Sequence, residues 1–137
     1  KAGRRRIINE EAVMALLAPL GFQSICLEDL GIAETAEMIA KASHIIAPHG
    51  AGLANLVFAR AGTQVLELFN AHLSREYWVI CNHKKLDYHA FEVHGPDQTD
   101  VDTTGRKEVA LRERNGFDLS VPLEDFKDYV KGVFIKG

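Results

Sequence analysis

A short apolar run followed by a turn that contains glycine constrains this chain more than any other stretch. Residues His44–Ala47 are mostly apolar and include β-branched side chains, which predicts a strand buried on both faces. Pro48 lacks the N–H group that a sheet ladder needs, so we expect the strand to stop there. Gly50 and Gly52 permit backbone angles that are closed to other residues. The sequence therefore predicts a strand that leads directly into a tight turn.

The turn itself is a candidate anion site. Leu53, Leu56 and Val57 have helical spacing, so we expect a helix to begin near Leu53. A helix that starts after a glycine turn presents unpaired N–H groups, and these groups together with the helix dipole favour a phosphate. The alternative is a tight connection with no ligand, because short turns that contain glycine are common. On the residues alone, both interpretations stay open.

The remaining segments alternate between strand and helix patterns. Alternation of this kind indicates an α/β domain with a mostly parallel sheet, whose ligands bind beyond the carboxyl ends of the strands. A polar stretch over 95–105 predicts a surface loop. The predicted helices begin after Asn9, span 33–42 and 75–84, and start again at Pro122; the predicted strands span 22–27, 63–69 and 86–93, with an extended piece over 116–121.

Two charged features are expected near the same rim of that sheet. Glu67 stands late in an apolar strand, so its carboxylate should have a partner or reach the end of the sheet. Residues Arg4–Arg6 precede the first helix, and guanidinium groups bind phosphate oxygens in a fork. A phosphate clamp and a solvated basic turn are both consistent with these three arginines.

Composition limits the classes of function. The 137 residues are 47% hydrophobic, which suits a single globular domain over 1–137, and the net charge of -3 gives no bulk attraction to nucleic acid. No apolar run approaches the ~18 residues of a membrane span, and no signal peptide pattern opens the chain. Cys26 and Cys81 both have apolar neighbours, so we expect two buried free thiols. Because the chain opens with Lys1, we expect it to be a piece of a longer protein, located in the cytoplasm, with the inner membrane face as an alternative.

Four stretches taken together are similar to glycosyltransferase family 61. The similarity extends over residues 4–70, and the stretch that begins at His49 is its most specific part. Many relatives have Glu-Gln where this chain has Glu34-Thr35, so no role of that Gln is transferred. The four stretches are Arg5-Arg6-Ile7-Ile8-Asn9-Glu10, Gly21-Phe22, Pro48-His49-Gly50-Ala51-Gly52-Leu53-Ala54-Asn55-Leu56, and Gly62-Thr63 with Leu66-Glu67-Leu68.

This resemblance implies a fold and a substrate class. The fold is a Rossmann-like parallel sheet flanked by helices, the C-terminal half of a GT-B glycosyltransferase, and its N-terminal half lies outside this chain. The reaction moves a hexose or pentose from a nucleotide-sugar, most readily a UDP-sugar, to a glycan or polysaccharide acceptor such as a capsular polysaccharide. The expected substrate-binding residues are Arg5, His49, Gly50, Ala51, Gly52, Leu53, Asn55 and Glu67.

Individual roles follow from that resemblance. The backbone amides of residues 49–53 stabilise the departing diphosphate, and Arg5 holds phosphate oxygens. Glu67 accepts hydrogen bonds from ribose hydroxyls, while His49 either donates to the phosphate or shapes the turn. No catalytic base is assigned, and no metal ion or other cofactor is expected.

Two other functions compete with this interpretation. A non-catalytic module that binds a nucleotide or docks a partner needs no acceptor half, and we expect this chain by itself to be inactive in sugar transfer. A serine hydrolase also places a His-Gly turn after a strand, but it needs a Gly-x-Ser-x-Gly elbow that the sequence lacks.

Overall fold

A computed structural model describes residues 6–70, 74–94 and 118–136 and confirms an α/β architecture. Strands β1 (His44–Pro48), β2 (Gln64–Phe69) and β3 (Asp87–Glu92) form a parallel sheet in the order β1-β2-β3. Helices flank this sheet, as in a Rossmann-like fold. The α-helices are α1 (Glu10–Leu17), α2 (Ile32–Lys41), α3 (Glu76–Lys84) and α4 (Leu123–Gly132), and the 3-10 helices span Ala18–Leu20, Leu27–Asp29, Ala51–Phe58 and Phe134–Lys136.

The alternation of side chains along β2 divides the core into two layers. Leu66 and Leu68 face a layer that contains residues of α1 and α4. Val65 faces the other layer, which contains residues of the 3-10 helix Ala51–Phe58 and of α3. Since every β2 residue from Gln64 to Leu68 is buried, β2 is the centre of the fold.

Strand β1 was expected to be buried on both faces, and this prediction was wrong. All five of its residues are only half-buried, because within the described ranges β1 pairs with β2 alone. Pro48 is its last residue, and the neighbouring amide of His49 donates to the Leu68 carbonyl of β2. In a strand, successive amides point to opposite edges, so the backbone nitrogen of Pro48 lies on the outer edge. Proline is tolerated there because no ladder hydrogen bond to β2 is lost.

The helix expected near Leu53 is a 3-10 helix over Ala51–Phe58. Its buried positions are Leu53 and Leu56, and Ala59 just after it is buried too. This repeat of three matches the 3-10 period of three residues per turn. Val57, which the α-helical interpretation placed inside, is 49% exposed.

The strand expected over 22–27 does not form. Phe22 packs on the core, but residues 23–26 are exposed and Leu27 begins a short 3-10 helix. Gln23 and Ser24 interrupt the apolar pattern, and the Ser24 hydroxyl donates to the Glu10 carboxylate. Cys26 is therefore exposed, contrary to expectation, whereas Cys81 is buried as expected.

Asn9 precedes α1 as expected, but its side chain does not cap the helix. Its Nδ2 donates to the Val121 carbonyl at 2.8 Å, and its Oδ1 accepts from the Val121 amide at 3.0 Å. The amide thus replaces a pair of backbone bonds and ties the start of α1 to the segment before α4.

The remaining predictions concern the buried side of α2, the extended piece over 116–121 and the loop over 95–105. Ile32, expected on the buried side of α2, is 82% exposed, and Thr35 is buried in its place. Leu119 and Ser120 of the expected extended piece pair with Ile7 and His94. The loop expected over 95–105 lies outside the described residues. None of the helices in the described ranges is both long and apolar enough to cross a membrane.

The two cysteines should differ in reactivity. Burial, followed by the negative charge of Glu67, raises the pKa of Cys81 to about 11, so this thiol stays protonated at about pH 8. We expect a disulfide-exchange reagent to modify exposed Cys26 in the folded chain and to reach Cys81 only after unfolding. Cys26→Ser should remove the fast phase of thiol modification in the folded chain. Equal reaction rates of the two thiols would contradict the burial of Cys81.

Candidate functional site

The turn at the carboxyl end of β1 has a backbone that only glycine adopts readily. Gly50 has φ 155° and ψ 176°, which is a region that side chains exclude. Gly50 adopts this conformation between the end of β1 at Pro48 and the start of the 3-10 helix at Ala51. Glycine is therefore needed at position 50 because of the backbone conformation there, whether or not a ligand binds.

The hydrogen bonds of the turn show which of its amides are engaged. The His49 amide donates to the Leu68 carbonyl at 2.8 Å, and the Leu53 amide donates to the Gly50 carbonyl at 3.0 Å. In the described part of the chain, the amides of Gly50, Ala51 and Gly52 make no hydrogen bond. Of the amides expected over residues 49–53, these are the ones left for a ligand.

The surface outside the turn has room for a ligand. Ala51 and Gly52 are exposed, and a Cβ atom added at Gly52 would meet nothing within 4 Å. Two residues of the 3-10 helix hold the turn in place through their side chains. Leu53 is 2% exposed and anchors the helix in the core, and Asn55 Nδ2 donates to the Gly52 carbonyl at 3.0 Å. Asn55 therefore supports the turn through its side chain.

A buried carboxylate lies next to the turn. Glu67 has 0% exposure, and its Oε1 pairs with Nδ1 of His49. Its Oε2 accepts a hydrogen bond from the Tyr88 hydroxyl at 2.5 Å. The register places Glu67 opposite Ala47, so the carboxylate and the His49 ring lie on the same face of the sheet. The prediction that Glu67 has a partner or reaches the sheet's end is confirmed.

Neighbouring groups respond to this carboxylate. Burial, the hydrogen bond to Glu67 and the Glu67 charge together raise the pKa of Tyr88 far above its usual range. The Tyr88 hydroxyl therefore remains a proton donor at neutral pH. The Tyr77 ring of α3 meets the His49 ring edge to face, with ring centroids 5.4 Å apart. His49 is thus held from two sides, and its side chain keeps 14% exposure.

This arrangement alters two expected roles. Binding of ribose by Glu67 does not fit the structure, because the carboxylate is buried and both oxygens have partners. Arg5 lies outside the described residues. The backbone amide of the neighbouring Arg6 donates to the Asp118 carboxylate, so that amide is already engaged within the protein. Glu67 is therefore better assigned to holding His49, while the role of Arg5 stays a prediction.

Sequence reasoning missed Tyr88. It was expected only as one residue of a strand, and no motif marks it. The signal that finds it is the register: Tyr88 lies opposite Val65 in β3, on the face that carries Glu67. Such a pairing is visible only once the strands are aligned. The described residues contain no group of three or more His, Cys, Asp or Glu side chains arranged to hold a metal ion.

Comparison with known proteins identifies relatives of part of the chain. The model of the family described as Glycosyltransferase 61 matches residues 1–66, which include the turn and end just before Glu67. The chain is also 37% identical over 67 residues to the Beta-1,2-xylosyltransferase RCN11 of Oryza sativa subsp. japonica. That alignment covers 48% of this chain and 13% of the rice protein, so the chain spans a small part of this relative's length.

The backbone of the turn predicts different effects of alanine at its two glycines. Gly50→Ala should lower the free energy of unfolding by about 1–3 kcal/mol, because a side chain is strained at this φ. Gly52→Ala is the matched control, since its Cβ would meet open space, and it should change stability by no more than about 0.5 kcal/mol. Urea unfolding measures both, and equal stabilities would contradict the assigned geometry.

Proposed function

We propose that this chain belongs to glycosyltransferase family 61, whose model matches residues 1–66, and that it supplies the donor-binding part of a transferase that moves a sugar from a nucleoside diphosphate to an acceptor hydroxyl. The observation that carries this proposal is the turn at the carboxyl end of β1. There, among the described residues, the amides of Gly50, Ala51 and Gly52 make no hydrogen bond, and Ala51 and Gly52 are exposed. This is the edge at which parallel α/β sheets bind ligands.

The chemistry of the leaving group explains why such amides help. Breaking the bond between the sugar and the diphosphate leaves additional negative charge on the phosphate oxygens. Backbone N–H donors already fixed in place stabilise that charge without reorganising, and one such donor typically contributes about 3–4 kcal/mol to the transition state. The amides of Gly50, Ala51 and Gly52 take this role in the proposal.

His49 adds a side chain to the same turn. It precedes Gly50 directly, and its ring remains partly exposed while Nδ1 is engaged by Glu67. A hydrogen bond from Nε2–H to a phosphate oxygen, which requires both ring nitrogens to carry a proton, would add to those of the amides. Arg5, on the resemblance to the family, provides a further cation for the phosphates.

The resemblance and the relative narrow the substrates further. We propose a UDP-sugar donor, transfer with inversion, and a GT-B arrangement in which another part of the protein binds a glycan or polysaccharide acceptor. The rice relative is named as a xylosyltransferase, which favours a pentose over a hexose. Since the aligned residues cover 13% of that relative, we expect the chain alone to bind the donor without transferring the sugar.

Nucleotide binding can be tested directly on the 137-residue chain. On titration with UDP, we expect the NMR amide signals of Gly50, Ala51 and Gly52 to shift, because the diphosphate accepts hydrogen bonds from them. Uridine, which lacks the diphosphate, should leave these signals unchanged. Unchanged turn amides at millimolar UDP would contradict the proposed site.

A substitution at Gly52 tests the site with the fold retained. Gly52→Val should weaken UDP binding at least about tenfold, because the valine side chain would occupy the space outside the turn. Gly132→Val is a matched control at the end of α4, where a Cβ also meets nothing within 4 Å, and it should bind UDP like the unmodified chain. If Gly52→Val bound UDP normally, the diphosphate would have to bind elsewhere.

A further inference from the structure

We propose that Tyr88 and Glu67 are positioning residues that fix the proton and the orientation of the His49 ring at the nucleotide site. This inference rests on the proposed function and adds two residues of β2 and β3 to it. Tyr88 and Glu67 touch no substrate, and both act through His49.

The contacts form one continuous chain of three side chains. The Tyr88 hydroxyl donates to Glu67 Oε2 at 2.5 Å, and Glu67 Oε1 pairs with His49 Nδ1. Glu67 is fully buried, so water does not compete for either oxygen. With one oxygen held by Tyr88, the carboxylate cannot turn away from His49 without losing a buried hydrogen bond.

The chemistry of this chain sets the protonation of the imidazole. An ionised carboxylate only accepts hydrogen bonds, so the His49 nitrogen that faces it must carry a proton. In the neutral ring this leaves the second nitrogen, Nε2, without a proton, so Nε2 donates to a phosphate oxygen only when both ring nitrogens are protonated. A hydrogen bond at Nδ1 thus decides the role of Nε2, as a hydrogen-bonded partner does for many functional histidines.

Each element packed around the His49 ring contributes a group to this setting. Strand β2 provides Glu67 and α3 provides the Tyr77 ring, both in contact with His49, while Tyr88 of β3 and the buried thiol of Cys81 lie near Glu67. In the described part of the chain, Glu67 forms its ion pair with His49. The buried negative charge is therefore directed at the imidazole.

A purely structural role explains these residues less well. Val65, Leu53 and Leu56 in the same layer are apolar. Replacing a buried ion pair by apolar residues of similar volume is often neutral or stabilising. A carboxylate buried in this layer beside the proposed anion-binding turn is better explained by its effect on His49.

Two tyrosine variants with the same chemical change separate the two roles. Tyr88→Phe removes the hydroxyl that holds Glu67, and Tyr129→Phe removes the hydroxyl that bonds His89 Nδ1 at 2.9 Å, on the opposite sheet face. The readouts are UDP affinity and the ¹⁵N NMR signals of the His49 ring in the 137-residue chain. We expect Tyr88→Phe to weaken UDP binding by about three- to tenfold and to shift the His49 ring signals. Tyr129→Phe should leave both readouts unchanged.

The unmodified chain supplies a readout that needs no variant. The ring signals should show His49 protonated at Nδ1, and an unprotonated Nδ1 would overturn the inference. Unchanged ring signals and UDP affinity in Tyr88→Phe would also overturn it. If the unmodified chain failed to bind UDP, the proposed function would fall, and the ring signals alone would still decide whether Tyr88 and Glu67 orient His49.

Discussion

The buried carboxylate of Glu67 is the interaction on which the rest of the site depends. Moving a carboxylate from water into the protein interior costs several kcal/mol of desolvation free energy. This penalty is offset only when each carboxylate oxygen finds a hydrogen-bond or ion-pair partner. Here the partners come from the turn after β1 and from β3. Glu67 thus connects the three strands through side chains as well as through the sheet ladder, and it fixes the place at which the turn leaves the sheet.

The geometry of the turn follows from what precedes and follows it. Pro48 ends β1 at the outer edge of the sheet, Gly50 connects it to the 3-10 helix in a conformation that only glycine adopts readily, and Leu53 anchors that helix in the core. The pairing of His49 with Glu67 holds the beginning of the turn, and the bond from Asn55 to Gly52 holds its middle. The amides of Gly50, Ala51 and Gly52, which make no hydrogen bond within the described ranges, thus lie in a turn that is held by the side chains on either side of them, as the proposed site for developing charge requires.

Much of the fold was predictable because it depends on local patterns. The strands that contain Ile45, Leu66 and His89 and the helix that contains Phe126 follow from apolar periodicity and from punctuation by glycine and proline. The errors occurred where long-range pairing decides the outcome. Burial of β1 depends on how many neighbours it has in the sheet, and the buried repeat in the 3-10 helix depends on which surface it meets.

The site was predictable to a smaller degree, for the same reason. The glycine turn and the need of Glu67 for a partner are visible in the sequence, whereas the partner itself is not. Tyr88 reaches Glu67 because β3 lies beside β2 in one particular register, and no spacing along the chain encodes that distance.

The most direct test of this account is a crystal structure of the chain with UDP bound. The account predicts diphosphate oxygens within hydrogen-bond distance of the amides of Gly50, Ala51 and Gly52, with the contact between His49 and Glu67 retained. A diphosphate bound away from the turn, or turn amides occupied by the protein's own carbonyls, would contradict it.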